Sequence, residues 1–197
     1  MIGRREFMGV LGVVVGAGAG GLWRSVDGGR ETPHRLRPPG ALDEEDFLAA
    51  CIRCGQCIVA CPYGTLRHDD EGRLSDRGTP YLVPRETPCF LCKDYESLRC
   101  IEACPTGALE DPGDVESIHM GVAVIDPKTC LAFNGVVCRA CWHECPFPNQ
   151  AIRFDSLLRP VIVEDACIGC GLCDKACLAE PSAIRIVPTV DREGGKP

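Results

Sequence analysis

The chain has little from which to build an ordinary core. Aromatic residues make up 6% of its 197 positions, while 16 cysteines and 22 glycines occupy places that large apolar side chains would otherwise fill. A conventional core is therefore thin, and cohesion must come from elsewhere, as it does in small scaffolds held by metals. Other absences narrow the function. No glycine-rich nucleotide loop stands between a strand and a helix; the run Gly16-Ala17-Gly18-Ala19-Gly20-Gly21 lies in a signal-like N-terminus. No C-x3-C-x2-C order occurs, which excludes radical enzymes that hold S-adenosylmethionine on such a motif. The four histidines, His34, His68, His119 and His143, are scattered and read as surface residues. The formal charge of −7 excludes non-specific nucleic-acid binding and suits docking to a basic partner surface.

What the chain does have is ordered cysteine. Cys51, Cys54, Cys57 and Cys61, followed by Pro62, make a C-x2-C-x2-C-x3-C-P run. That is the bacterial ferredoxin pattern for a [4Fe–4S] cluster. Three thiolates two residues apart on a tight loop can face three corners of one iron cube. The fourth is already entering a helix, points away, and ligates the other cluster of a pair. Gly55 sits where the loop turns sharply with little room for a Cβ.

The pattern recurs as Cys89, Cys92, Cys100 and Cys104, then Cys130, Cys138, Cys141 and Cys145, then Cys167, Cys170, Cys173 and Cys177. Leu178 replaces the proline after the last, and no cysteine is left over. Four quartets imply four [4Fe–4S] clusters, each adding about −2 with its thiolates, so the loaded protein sits near −15. A disulfide framework fits poorly, because cysteines two residues apart tend to face one centre and bridge each other only with strain. Structural zinc takes two C-x2-C knuckles, whereas the first and fourth motifs each present three thiolates within seven residues. With the cysteines committed, no catalytic residues remain, and the chain reads as an electron carrier, not an enzyme. Tyr63 and Trp142, beside ligands, are expected to pack over the clusters.

Along the chain, Arg4-Arg5-Glu6-Phe7-Met8 resembles a twin-arginine export signature, followed by the uncharged Met8–Leu22. Its fifteen residues are short for a membrane span, which needs about 20, and fit a signal h-region; an uncleaved anchor is the alternative. Residues 1–22 are thus assigned as signal and the proline-dotted 23–42 as an exposed linker. Asp43-Glu44-Glu45-Asp46 is a solvated helix start. Residues 43–190 are expected to form two ferredoxin-like modules, and 191–197 a tail.

After each motif the same grammar returns, with short β-rich segments at Thr65–Arg67, Thr79–Pro84, Gly107–Leu109, Met120–Asp126, Ala151–Phe154, Pro160–Glu164 and Ala183–Val187. The expected class is α+β, short helices and two-stranded hairpins around the clusters. Motifs pair either in sequence, or nested with the two compact motifs enclosing the extended ones; spacing allows both.

These residues resemble the MauM/NapG family of ferredoxin-type proteins over nearly the whole chain. The likeness is carried by Arg37-Pro38-Pro39-Gly40-Ala41-Leu42, Gly78-Thr79-Pro80-Tyr81, Pro84-Arg85-Glu86, Cys104-Pro105-Thr106-Gly107-Ala108-Leu109 and Met120–Asp126, and includes the missing proline after Cys177. The resemblance implies a periplasmic carrier with four [4Fe–4S] clusters. It would relay electrons from a quinol-oxidising membrane iron–sulfur partner toward a periplasmic molybdenum reductase through cytochromes, of the nitrate-reductase type. An iron–sulfur subunit of another exported molybdoenzyme is the alternative.

Overall fold

The computed structural model describes residues 34–193, so the expected export signal lies outside the described residues. Elements are short because the cysteine loops interrupt them. Helix α1 (Glu44–Ala50) begins with Glu44, Glu45 and Asp46 in its first turn, where the helix dipole favours carboxylates. It presents Phe47, fully buried, to the core. Helix α2 (Gln56–Ala60) starts after Gly55, whose φ of 73° is left-handed. A Cβ there would stand 3.1 Å from the His68 ring, so both φ and space call for glycine.

Strands β1 (Leu66–His68) and β2 (Pro80–Leu82) pair antiparallel, Leu66 opposite Leu82. Helix α3 (Arg99–Glu102), a 3-10 turn at Val115–Ser117 and strand β3 (Gly121–Ile125) follow. Then come helix α4 (Ala140–Glu144), the hairpin of β4 (Ile152–Phe154) and β5 (Pro160–Ile162), and a 3-10 turn at Glu164–Ala166. Helix α5 (Leu172–Ala176), strand β6 (Ile184–Pro188) and helix α6 (Val190–Glu193) complete the described residues. Strand β6 returns to pair with β3 over five residues, Gly121 opposite Pro188 and Ile125 opposite Ile184.

The topology is a repeat. In the second half, β4–β5 lies between the third and fourth motifs and β3–β6 brackets both. In the first half, β1–β2 lies between the first and second motifs and a bridge from Ala41 to Leu109 brackets them. The motifs are therefore paired in sequence, first with second and third with fourth, and the nested arrangement is set aside.

Three expectations are corrected. The linker does not reach residue 42: Leu36 and Arg37 are buried and Pro38 almost fully so. The Leu82 amide donates to the Leu36 carbonyl at 2.9 Å, because an extended, proline-rich segment can lie along the free edge of β2. The strand expected at Gly107–Leu109 shrinks to the Ala41–Leu109 bridge. Gly40 and Gly107 both turn the chain at positive φ, and Pro39 offers no amide, so little straight backbone is left to pair. The tail begins later than 191, since α6 runs to Glu193 and Asp191 pairs with the His34 ring.

The acidic start of α1 is likewise not simply solvated. Glu44 receives both Arg37 Nη2 and Nε, at 2.6 and 3.0 Å, with the guanidinium itself buried. Arg37 also donates to Thr79 Oγ1 at 2.8 Å and lies over the Phe47 ring. Bidentate pairing is what makes a charge tolerable at this depth.

Candidate metal centres

Sixteen cysteines converge on four places. At site II, Cys89, Cys92 and Cys100 of the second motif share a cavity with Cys61 of the first. At site III, Cys167, Cys170 and Cys173 share one with Cys145. At site IV, Cys130, Cys138 and Cys141 share one with Cys177. Site I follows the same rule: the Cys57 thiol feels the sulfurs of Cys51, Cys54 and Cys104. In every case three cysteines come from one motif and the fourth is lent by its neighbour, as the ferredoxin spacing demands.

The cause is local. In the first and fourth motifs a left-handed glycine, Gly55 or Gly171, folds the loop back so that three sulfurs face inward. A short helix then starts, its third cysteine (Cys57, Cys173) facing the loop and its C-cap cysteine (Cys61, Cys177) leaving in extended conformation toward the other site. The second motif makes its turn without glycine. Leu91 and Cys92 adopt φ of 56° and 47°, a conformation that side chains enter only under constraint.

The cavities fit a cluster. Sites II, III and IV are alike in lining, each with four cysteines set in a largely apolar wall, as expected for one repeated occupant. No charged side chain lines any of the three; the walls are apolar apart from sulfur, Tyr63 and Thr65. Among the described residues no three His, Cys, Asp or Glu side chains are placed for a single metal ion. Four sulfurs spread around an apolar cavity suit a cube of four irons, whereas zinc would draw them to about 2.3 Å from one point.

Without iron, such thiols resist ionisation. Burial pushes Cys57 up to about 11, with the Cys51, Cys104 and Cys54 sulfurs adding to it. Burial pushes Cys89 up to about 12 and Cys141 and Cys170 to about 11, and it raises Cys100 and Cys173 well above the ordinary thiol value. Iron supplies the positive charge that makes four thiolates acceptable together, so loading releases protons and contributes folding energy. Cys104 is the exception. Burial pushes it up, but the Thr106, Leu109 and Ala108 amides and the Thr106 hydroxyl outweigh that and hold it below its ordinary value.

Amides also meet sulfur at 3.4 Å from Thr65 to Cys61, Ala123 to Cys167 and Ala183 to Cys177. Such donors stabilise added negative charge and are a lever on potential. Tyr63 lines site II as expected, its ring tilted against Phe90 and its hydroxyl donating to Asp94. Trp142 does not line the site IV cavity. It packs against Phe154 and donates to Asn149, so it shields the outside of α4. His68, His119 and His143 are exposed.

Comparison with known proteins agrees with this geometry. A family model described as a 4Fe-4S dicluster domain matches residues 50–108, the span of sites I and II, and one described as a 4Fe-4S binding domain matches residues 164–180. The methylamine utilization ferredoxin-type protein MauM of Methylorubrum extorquens is 45% identical over 170 residues, covering 82% of this chain and 76% of that one. MauM of Paracoccus denitrificans is 44% identical over 162 residues, covering 78% and 71%. The ferredoxin-type protein NapG of Escherichia coli is 42% identical over 168 residues, again covering 78% and 71%. At these identities and coverages, with its cysteines gathered as a 4Fe-4S protein requires, the chain belongs to the MauM/NapG family of ferredoxin-type iron–sulfur electron-transfer proteins.

Proposed function

We propose that the chain is a periplasmic relay holding four [4Fe–4S] clusters. Site I would be held by Cys51, Cys54, Cys57 and Cys104, and site II by Cys89, Cys92, Cys100 and Cys61. Site III would take Cys167, Cys170, Cys173 and Cys145, and site IV Cys130, Cys138, Cys141 and Cys177. It accepts electrons from a quinol-oxidising membrane iron–sulfur partner and passes them to a periplasmic cytochrome or molybdenum reductase of the nitrate-reductase type. Arg4-Arg5 directs it through the twin-arginine route after the clusters are built.

The observation that carries this reading is the repeated cavity: three of the sites show four cysteines in an uncharged wall, with only the Tyr63 and Thr65 hydroxyls at site II as further polar side chains. When bound, a cluster cycles by one electron between 2+ and 1+. The protein's part is to exclude water with Leu66, Leu98, Ile152 and Ile184, to direct amides at sulfur, and to hold the sites still. A carrier needs no substrate pocket. An open groove walled by Asp43, Glu45, Glu110 and Asp111 beside Arg35 and Arg37 contains no cysteine. Its acidic character, with the overall charge of −7, suits charge-guided docking to a basic partner.

The test is reconstitution of the loaded protein with quinol, membrane partner and acceptor, following cluster bleaching. Bleaching by quinol that depends on the membrane partner is expected, and weakens with salt as exposed charges are screened beyond about 8 Å at physiological ionic strength. Clusters that stay oxidised with every component present would end the relay reading. Co-purification as a one-to-one complex with a large catalytic subunit would favour the molybdoenzyme-subunit alternative. Replacing Arg4 and Arg5 by lysine is expected to trap the loaded protein in the cytoplasm, and normal periplasmic accumulation would contradict the export route.

A further inference from the structure

The phrase Pro84-Arg85-Glu86 lines none of the cysteine cavities at sites II, III and IV, yet Pro84 and Arg85 both contact the other half. Arg85 reaches the C-terminal end of α5, where carbonyls lack helical partners and the dipole is negative. Its Nη1 donates to the carbonyls of Asp174 at 2.7 Å, Cys177 at 2.9 Å and Lys175 at 3.4 Å, while Nη2 meets Glu180 at 3.3 Å. One guanidinium thus grips the helix that carries Cys173 of site III, and the backbone of Cys177 of site IV. Pro84 lies so close to Gly171 that a Cβ on the glycine would stand 2.3 Å from the proline ring. Four residues beyond Arg85, the Cys89 amide donates to the Cys170 carbonyl at 2.9 Å. A site II residue is therefore hydrogen-bonded directly to a site III residue, and Cys170 shares a core with Cys57, Cys89 and Cys100.

Within each half the sites are neighbours by helix packing. Helix α2, with Cys57 of site I, packs on α3, with Cys100 of site II. Helix α4, with Cys141 of site IV, packs on α5, with Cys173 of site III. Site I is the most exposed, with Cys54 exposed and only Cys57 buried; site II is the most enclosed, with Cys89, Cys92 and Cys100 buried; sites III and IV each bury two of their four cysteines.

We propose that the sites form one line, I–II–III–IV, crossed between halves at the Cys89 N–H to Cys170 carbonyl bond, with Arg85 the positioning residue that holds this junction closed. The inference rests on the proposed occupancy of the four sites. Electron transfer between buried centres falls off steeply with separation, so the step between the halves depends on how closely the contacts of Arg85 and the Cys89–Cys170 bond hold sites II and III together. The step is a single electron: the site that gives it up goes from 1+ to 2+ and its neighbour from 2+ to 1+, with no bond or proton changed.

The experiment is electron paramagnetic resonance on the loaded, dithionite-reduced protein, where neighbouring reduced clusters broaden one another's signals. Emptying site IV with Cys138→Ala should leave sites I to III mutually broadened. Emptying site III with Cys167→Ala should leave I and II broadened and give site IV a narrow, uncoupled signal. Broadening of site IV in that second variant would overturn the linear order. Arg85→Ala, with iron content and melting temperature checked, should lose the II–III broadening and keep that within each half. Arg85→Lys, which keeps charge but not the fork, should recover part of it, and Glu180→Gln, at the exposed end of the contact, none of the loss. Full II–III broadening in Arg85→Ala would remove Arg85 from the junction. Should that variant lose iron, Arg85→Lys decides alone, and wild-type broadening there overturns the assignment.

Discussion

The two halves solve one problem with different scaffolding. The second holds its ends together by a five-residue ladder, β3 with β6, whose buried Ala123 and Ile184 close over sites III and IV. The first has only the Ala41–Leu109 bridge in that place, with hydrogen bonds from Leu42 to Ala108 and from Glu110 to Gly40. It compensates with side chains: α1 with buried Phe47, the Arg37–Glu44–Thr79 network, and Arg35 held bidentate on fully buried Asp69. What the halves share is the crossed cysteine geometry. The cluster sites are thus specified by the cysteine loops, and the frame around them is free to differ.

The largest effect is expected where the halves agree. Cys61→Ala and Cys145→Ala each remove the lent ligand, so the iron lost should come from site II and site III respectively, not from the motif that carries the cysteine. Because ligation energy is folding energy, the affected half should also lose cooperative unfolding. Iron analysis with resonance of the remaining sites checks this, and loss of site I iron in Cys61→Ala would contradict the crossing.

Next are changes that separate the halves. Phe47→Ala should cost the first half about 3–5 kcal/mol, since the ring is fully buried, and leave sites III and IV intact. Arg37→Ala should cost a similar 3–5 kcal/mol or so by stranding Glu44, whereas the double change Arg37→Met with Glu44→Met should come close to neutral. Denaturation followed by loss of cluster absorbance measures both. Equal loss from the second half would mean that the frames are not independent.

The smallest effect concerns Asp69. Burial pushes its carboxyl up, but hydrogen bonds from Arg35 and from the Gly72 and Glu71 amides outweigh this and hold it below the ordinary 3.8. A depressed folded-state value contributes stability that is fully present above the unfolded value and is lost only as pH falls through the folded one. The penalty of Asp69→Asn should therefore be constant from pH 8 to about 5 and shrink only below about 4. A penalty that grows or fades between pH 8 and 5 would show that another group governs this loop.

The cysteine chemistry was legible in the sequence because spacing dictates it. Three sulfurs per loop and a fourth pointing away follow from helix geometry, and Gly55 announced its turn. Motif pairing was not legible, because tandem and nested arrangements use the same spacings. It is decided by β6 returning to β3 and by the lent cysteines, Cys61 at site II and Cys177 at site IV, which are long-range contacts. The N-terminal boundary was misread for a related reason. Pro33, Pro38 and Pro39 look like a linker, yet Leu36 is buried and bridged to Leu82 of β2 and Pro38 is buried, since a segment with few amides of its own can lie on a sheet edge at little cost. Arg85 stood within a noted phrase, but nothing local says that it grips a helix some 90 positions away.

The central claim is that four crossed quartets each hold a cubane. Anaerobic determination of iron and acid-labile sulfide on the purified, full-length protein tests it most directly. The account predicts about sixteen of each per chain, four per site. About eight of each with the remaining thiols free, or zinc in place of iron, would contradict it.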